Sequence, residues 1–156
     1  MRPLLAFAAL LSACAGKPPC GPTGGTVSKV VDGDTIELQS GEKVRYLLVD
    51  APEITQGHDD CYGRAAADYN AATVGGRQVT LKYDDESCTD RFGRLLAYVS
   101  VGGAEVNRAL VDQGLACVLY ISPGGMARRQ EFEDAEAVAK SNRAGLWGVC
   151  SPVTCE

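Results

Sequence analysis

Residues 26–53 read TVSKVVDGDTIELQSGEKVRYLLVDAPE. Three runs rich in β-branched residues, 26–31, 35–39 and 43–49, are separated by Asp32-Gly33 and Ser40-Gly41. Such runs punctuated by Asp-Gly and Ser-Gly predict an antiparallel meander of three strands with tight turns. The acids sit where the chain turns: Asp32 and Asp34 after the first run, Asp50 and Glu53 after the third. Carboxylates bury badly without a partner. They are therefore either solvated turn residues or the walls of a shared cation site.

Working outward from this meander, residues 50–60 form a polar loop. Residues 62–74 are alanine-rich and predict a helix closed by Gly75-Gly76. Residues 77–83 and 93–101 read as a fourth and a fifth strand, joined by the acidic loop DDESCTD. A short helix over 104–113 stops at Gly114, and 115–120 is a further apolar, strand-like piece. Residues 126–141 predict an amphipathic helix with Phe132, Ala135, Val138 and Ala139 on one face. The fold class is α+β, mainly β: a five-stranded barrel of the oligonucleotide-binding (OB) type with three helices.

At 156 residues, with 46% hydrophobic and 22% charged side chains, the chain is long enough for one domain with a proper core and is not disordered in composition. A formal charge of -5 provides no general attraction for a polyanion. Any nucleic acid would have to be held locally, by a few arginines or a bound cation.

The N-terminal MRPLLAFAALLSACAG carries an apolar run too short to span a bilayer, which points to a cleaved export signal. LSAC resembles a lipoprotein box, making residues 1–13 the signal and Cys14 the lipidated residue; cleavage after Ala15 is the alternative. Residues 14–24 then form a Pro/Gly-rich tether, 25–150 the folded domain and 151–156 a tail. Six cysteines follow Cys14, there is no Cys-x-x-Cys, and the one histidine is His58. Disulfides in an oxidising compartment fit this better than zinc, with the connectivity open.

Asp34 opens the second run and Asp50 closes the third, so an antiparallel meander brings them together. Neighbouring carboxylates repel unless a cation lies between them. Hard oxygen donors without nitrogen or sulfur point to Ca²⁺ or Mg²⁺. Strand alternation sets Arg45, Leu47 and Val49 on one face, and an inward arginine needs an anionic partner. Arg94 follows a glycine in DRFGR and offers a second guanidinium.

Five stretches, VVDGDTIEL, VRYLLVDAPE, TDRFGRLLAYV, VNRALVDQGLA and AGLW, recur in an order that resembles the staphylococcal nuclease (thermonuclease) family, from about residue 24 to 147. The resemblance implies an OB barrel with three helices and a Ca²⁺-dependent phosphodiesterase acting on DNA and RNA. It implies that Asp34 and Asp50 bind Ca²⁺ through carboxylates and Ala51 through its backbone carbonyl, with Asp32 behind them through water. Glu53 matches the general base, Arg45 and Arg94 the pair that clamps the scissile phosphate, and Tyr120 a tyrosine lining the substrate pocket.

Three departures stand out. Ala51 replaces a common threonine, Ser122 a second pocket tyrosine, and TQGHDDC a lysine-rich loop. They predict weaker substrate affinity and greater dependence on Ca²⁺. The expected protein is an exported, monomeric nuclease anchored to a membrane by lipid on Cys14. A nucleic-acid-binding barrel without catalysis is one alternative, against which the retained Arg45, Glu53 and Arg94 argue. An interaction lipoprotein on the same barrel is another. Because the Cys61 and Cys88 segments flank one site in the family fold, a Cys61–Cys88 disulfide is expected; Cys117, on the last apolar strand, is expected to meet Cys150 just after Trp147, which leaves Cys20–Cys155 to join the two tails.

Overall fold

The computed structural model describes residues 20–84 and 86–155. The export signal, Cys14 and the tether up to residue 19 lie outside the described residues. Strands β1 (Gly24–Val30), β2 (Thr35–Leu38) and β3 (Lys43–Tyr46) form the expected meander. In it Val30 faces Ile36, and Thr35 faces Arg45. The first half of β1 turns to pair with β4 (Gln78–Tyr83), which pairs with β5 (Leu95–Val101). An irregularity between Val27 and Lys29 lets one strand serve two neighbours, because a bulge bends and twists its strand. β3 and β5 then pair in parallel, Arg45 opposite Leu96, and the five strands close into a barrel. A two-residue strand, β6 (Ala104–Glu105), extends β5 as a hairpin.

The described residues form four helices beside the barrel: α1 (Gly63–Val74), α2 (Val106–Asp112), α3 (Arg129–Ser141) and the short α4 (Leu146–Val149). A 3₁₀ turn at Met126–Arg128 leads into α3. Ile36, Leu38, Val44, Val79, Ala97 and Val99 fill the barrel. α3 buries Phe132, Ala135 and Ala139. Val138, expected on that face, is 60% exposed. Positions i, i+3 and i+7 share a helical stripe that i+6 misses.

Two further expectations change. β3 ends at Tyr46, where the run through Val49 was expected to continue, and Leu47, Leu48 and Val49 are all buried. Residues 115–120 form no strand; Cys117 makes only an isolated bridge with Asp50, each amide donating to the other's carbonyl at 2.9 Å.

The disulfides are Cys20–Cys88, Cys61–Cys150 and Cys117–Cys155, with Cα separations of 5.0, 5.8 and 6.1 Å. None of the expected pairs, Cys61–Cys88, Cys117–Cys150 and Cys20–Cys155, is formed. The reason is which ends meet at closure. The Leu81 amide donates to Thr23 O and the Tyr83 hydroxyl to Pro22 O, so the N-terminal segment runs along β4 to Cys88. Cys150, closing α4, meets Cys61 at the head of α1. The chain beyond it then continues to Cys117, beside Asp50.

Candidate active site

Arg45 lies between two of the clustered acids. Its Nε lies 3.2 Å from Asp34 Oδ1, and its Nη2 donates to Asp50 Oδ1 at 2.8 Å. Nη1 donates to the carbonyls of Tyr46 and Val49. The Thr35–Arg45 register sets this up, because it seats Arg45 beside the residue preceding Thr35. Both acids are shielded, Asp34 being 4% and Asp50 8% exposed. Asp34 also accepts the Thr35 hydroxyl at 2.9 Å and the Ala51 amide at 2.7 Å.

Asp32 accepts the Asp34 amide at 3.0 Å, closing the turn by a local Asx bond. Its burial, and then the nearby Asp34 charge, push its carboxyl up to about 7. Gly33 is here for proximity, since it is absent from the residues with positive φ. A Cβ on Gly33 would lie 2.5 Å from Ala51 Cβ and 2.7 Å from Ala66 Cβ. Asn70 Nδ2 donates to Asp32 O at 3.0 Å, and Tyr46 donates its hydroxyl to Asn70 at 2.8 Å. The turn is thereby pinned to α1 and to the barrel core.

Arg94 faces the same cavity as Arg45. Asp90 holds it: Oδ2 accepts Arg94 Nε at 2.6 Å, while Oδ1 accepts the amides of Phe92 and Arg94. Partial burial pushes the Asp90 carboxyl up, but these bonds outweigh it and leave it below its ordinary range. The cavity, about 520 Å³, is lined by Arg45, Asp50, Arg91, Phe92 and Arg94, among others.

A second cavity of about 360 Å³ shares Asp50 with the first and is lined by Ala51, Glu53, Asp60 and residues 153–155. Glu53 Oε1 accepts the Ile54 amide, the Thr55 amide and the Thr55 hydroxyl at 2.6–2.9 Å. Burial pushes Glu53 up, yet the Thr55 and Ile54 bonds prevail and lower it. It is a carboxylate at neutral pH, and Oε2 accepts none of these three bonds.

Tyr120 is not among the residues that line the larger cavity. Its ring lies under the Arg129 guanidinium at 4.6 Å, and Leu119, Ile121 and Ser122 face the cavity instead. Asp90, Thr55, Asn70 and Asn107 carry no motif that marks them in the sequence, yet each bonds a group at the site. Asn107, fully buried, donates to Leu47 O and Ala97 O and accepts the Val99 amide, fixing the turn before Asp50. Asp90 was the accessible one: an acid four residues before Arg94 in a tight loop.

The donor set fits a hard divalent cation. Asp34 and Asp50 both meet the Arg45 guanidinium, and the Asp32 carboxyl lies close enough to feel the Asp34 charge. Among the described residues no cluster of three or more His, Cys, Asp or Glu side chains has metal-binding geometry. A site here would therefore combine two carboxylates with backbone carbonyl and water.

Comparison with known proteins agrees with this architecture. The family profile described as staphylococcal nuclease homologue matches residues 43–149. Endonuclease YncB of Bacillus subtilis (strain 168) is 38% identical over 135 residues, covering 83% of this chain and 64% of YncB. The SPbeta prophage-derived endonuclease YokF of the same organism is 36% identical over 135 residues, covering 83% of this chain and 45% of YokF. Thermonuclease of Staphylococcus intermedius is 33% identical over 126 residues, covering 78% of this chain and 74% of that protein. The chain thus spans roughly half to two-thirds of the two Bacillus relatives. With its closed five-stranded barrel and the matched span running from β3 to α4, the chain belongs to the staphylococcal nuclease family.

Proposed function

We propose that the chain is an exported, Ca²⁺-dependent nuclease that hydrolyses phosphodiester bonds of DNA and RNA. The observation that carries this is that Arg45, ion-paired with Asp34 and Asp50, lines one cavity together with Asp50 and Arg94, and that Glu53 lines the adjoining one. The relatives named endonuclease and thermonuclease support it.

Asp34 and Asp50 would hold Ca²⁺ through carboxylates and Ala51 through its carbonyl, with Asp32 behind them through water. Ca²⁺ bound there supplies counter-charge for the phosphoryl oxygens. Arg45 and Arg94 orient the phosphodiester and balance the charge that builds on it as water adds. Glu53 accepts the proton of the attacking water as the oxygen bonds to phosphorus and the P–O bond to the leaving alkoxide breaks. Its lowered pKa keeps the carboxylate ionised and ready.

Export is supported by three disulfides, which persist in oxidising compartments. Membrane attachment through lipid on Cys14, and a monomeric state, belong to the same proposal. The test is cleavage of single-stranded DNA by the purified chain, with Ca²⁺ and then with excess chelator. Activity with Ca²⁺ that chelator abolishes supports the reading; tight binding without cleavage would replace it with a nucleic-acid-binding barrel. Release of the protein from the membrane fraction on Cys14→Ser tests the anchor.

A further inference from the structure

Residues 53–60 fold back on Glu53. Its carbonyl accepts the Asp60 amide at 2.9 Å, and the His58 amide donates to Thr55 O at 3.0 Å. Inside that second turn Gln56 and Gly57 have φ of 53° and 90°. Positive φ at both central positions makes a tight reversal that suits glycine and strains a glutamine. Ile54 packs on the head of α1, since a Cβ on Gly63 would lie 2.5 Å from Ile54 Cγ2. Thr55 is thus fixed from both sides, and it opens the TQGHDDC segment that stands in place of a lysine-rich loop.

What Thr55 holds is one oxygen of Glu53. The Thr55 hydroxyl donates to Oε1 at 2.7 Å, the Thr55 amide at 2.6 Å and the Ile54 amide at 2.9 Å. Three donors fill that oxygen, because each carboxylate oxygen has about two lone-pair sites. Oε2 is outside all three bonds. The two amides come from one stretch of backbone. The hydroxyl reaches Oε1 from a side chain and so resists rotation of the carboxylate about its last bond. Thr55 is not among the residues that line either cavity, so its route to the site runs through Glu53.

We propose that Thr55 is a positioning residue for the base: it commits Oε1 of Glu53 to the loop and leaves Oε2 as the oxygen that takes the proton of the attacking water. This rests on the nuclease reading. A free glutamate side chain samples many rotamers, and holding it in one costs entropy that the Thr55 and Ile54 bonds offset in advance. Without the hydroxyl the carboxylate can exchange its two oxygens, and fewer waters meet an acceptor in line. Misplacing a catalytic group by about 1 Å can cost about a hundredfold in rate, and losing one donor of three displaces it less.

The test measures kcat, KM and the Ca²⁺ requirement on a single-stranded DNA oligonucleotide. Thr55→Val keeps the branched side chain and the amide and replaces the hydroxyl with a methyl. It should lower kcat about tenfold, with KM and the Ca²⁺ requirement within about twofold of wild type, and Thr55→Ser should restore kcat. Added to Glu53→Gln, Thr55→Val should change the residual kcat by less than about twofold, because the base it positions is already gone. A folded Thr55→Val variant with wild-type kcat overturns the proposal and leaves the nuclease reading intact. So does an equal loss in the Glu53→Gln background, a rise in KM without a fall in kcat, or a Thr55→Ser variant as slow as Thr55→Val. Should Thr55→Val show no cooperative melting, Thr55→Ala takes its place in the same comparison. Wild type inactive with Ca²⁺ overturns the nuclease reading, and the role of Thr55 with it.

Discussion

Asp90 earned no role from the sequence, yet the structure makes it the residue that aims Arg94, and Asp90→Asn isolates that contribution. Asparagine keeps an oxygen for the Phe92 and Arg94 amides at 2.9 and 3.0 Å, so the loop should stay closed. What is lost is the second oxygen, which takes Arg94 Nε at 2.6 Å, and an amide NH₂, itself a donor, stands in its place. A hydrogen bond to a charged group is worth about 1.5–3 kcal/mol, an exposed pair about 0–1. With the Asp90 side chain 16% and the Arg94 side chain 29% exposed, an intermediate loss of about 1–2 kcal/mol in holding Arg94 is appropriate. Expressed in the transition state, that is a fall of about 5- to 30-fold in kcat.

The pH dependence has a definite sign. The Asp90 carboxyl is lowered in the folded chain, so the stabilisation it provides is complete above the ordinary aspartate range and is lost as pH falls through the lowered value. The acid loss of thermal stability should therefore be smaller in Asp90→Asn than in wild type. The assay is turnover of single-stranded DNA at saturating Ca²⁺, beside a thermal melt. A folded variant with kcat at or above wild type would refute the reasoning: Asp90 would then restrain Arg94 from the phosphate rather than present it.

Four other outcomes follow from the geometry. Glu53→Gln removes the proton acceptor while keeping an oxygen for the Thr55 bonds, so turnover should drop about 10²- to 10⁴-fold with Ca²⁺ affinity retained; wild-type turnover would remove Glu53 from the reaction. Gly33→Ala drives a methyl to 2.5 Å from Ala51 and 2.7 Å from Ala66. It should destabilise by about 1–3 kcal/mol and raise the Ca²⁺ requirement, read by melting and metal titration. Tyr46→Phe leaves Asn70 Oδ1 buried without its donor at 2.8 Å, which should cost about 1–3 kcal/mol in denaturant unfolding. Asp34→Ala and Asp50→Ala should each shift the Ca²⁺ dependence of cleavage to higher concentration, and full activity in excess chelator would refute the metal assignment.

Much of this protein is legible along the chain because its signals are local. Alternation and Asp-Gly or Ser-Gly punctuation placed the meander, and alanine content and glycine stops placed α1 and α2, since strand and helix periods repeat over a few residues. Arg45 meets Asp34 because the register that seats it there comes from one hairpin. Where local pattern stopped, so did the reading. Residues 115–120 have the composition of a strand, but no edge with which to pair at length. Tyr120 lies under Arg129 and is not among the residues that line the larger cavity.

By itself the sequence determined the barrel class, the meander and the acids and arginines that face one another, because each depends on spacing within one segment or one turn. Only the tertiary structure decided which cysteines pair, that Asp90 aims Arg94, that Asn70 and Asn107 pin the turns on either side of the site, and that residues 153–155 line a cavity with Glu53. The physical reason is closure. Parallel pairing of β3 with β5 sets which distant ends arrive together, and six cysteines whose spacing is silent on connectivity bond with whichever partner that closure brings within reach.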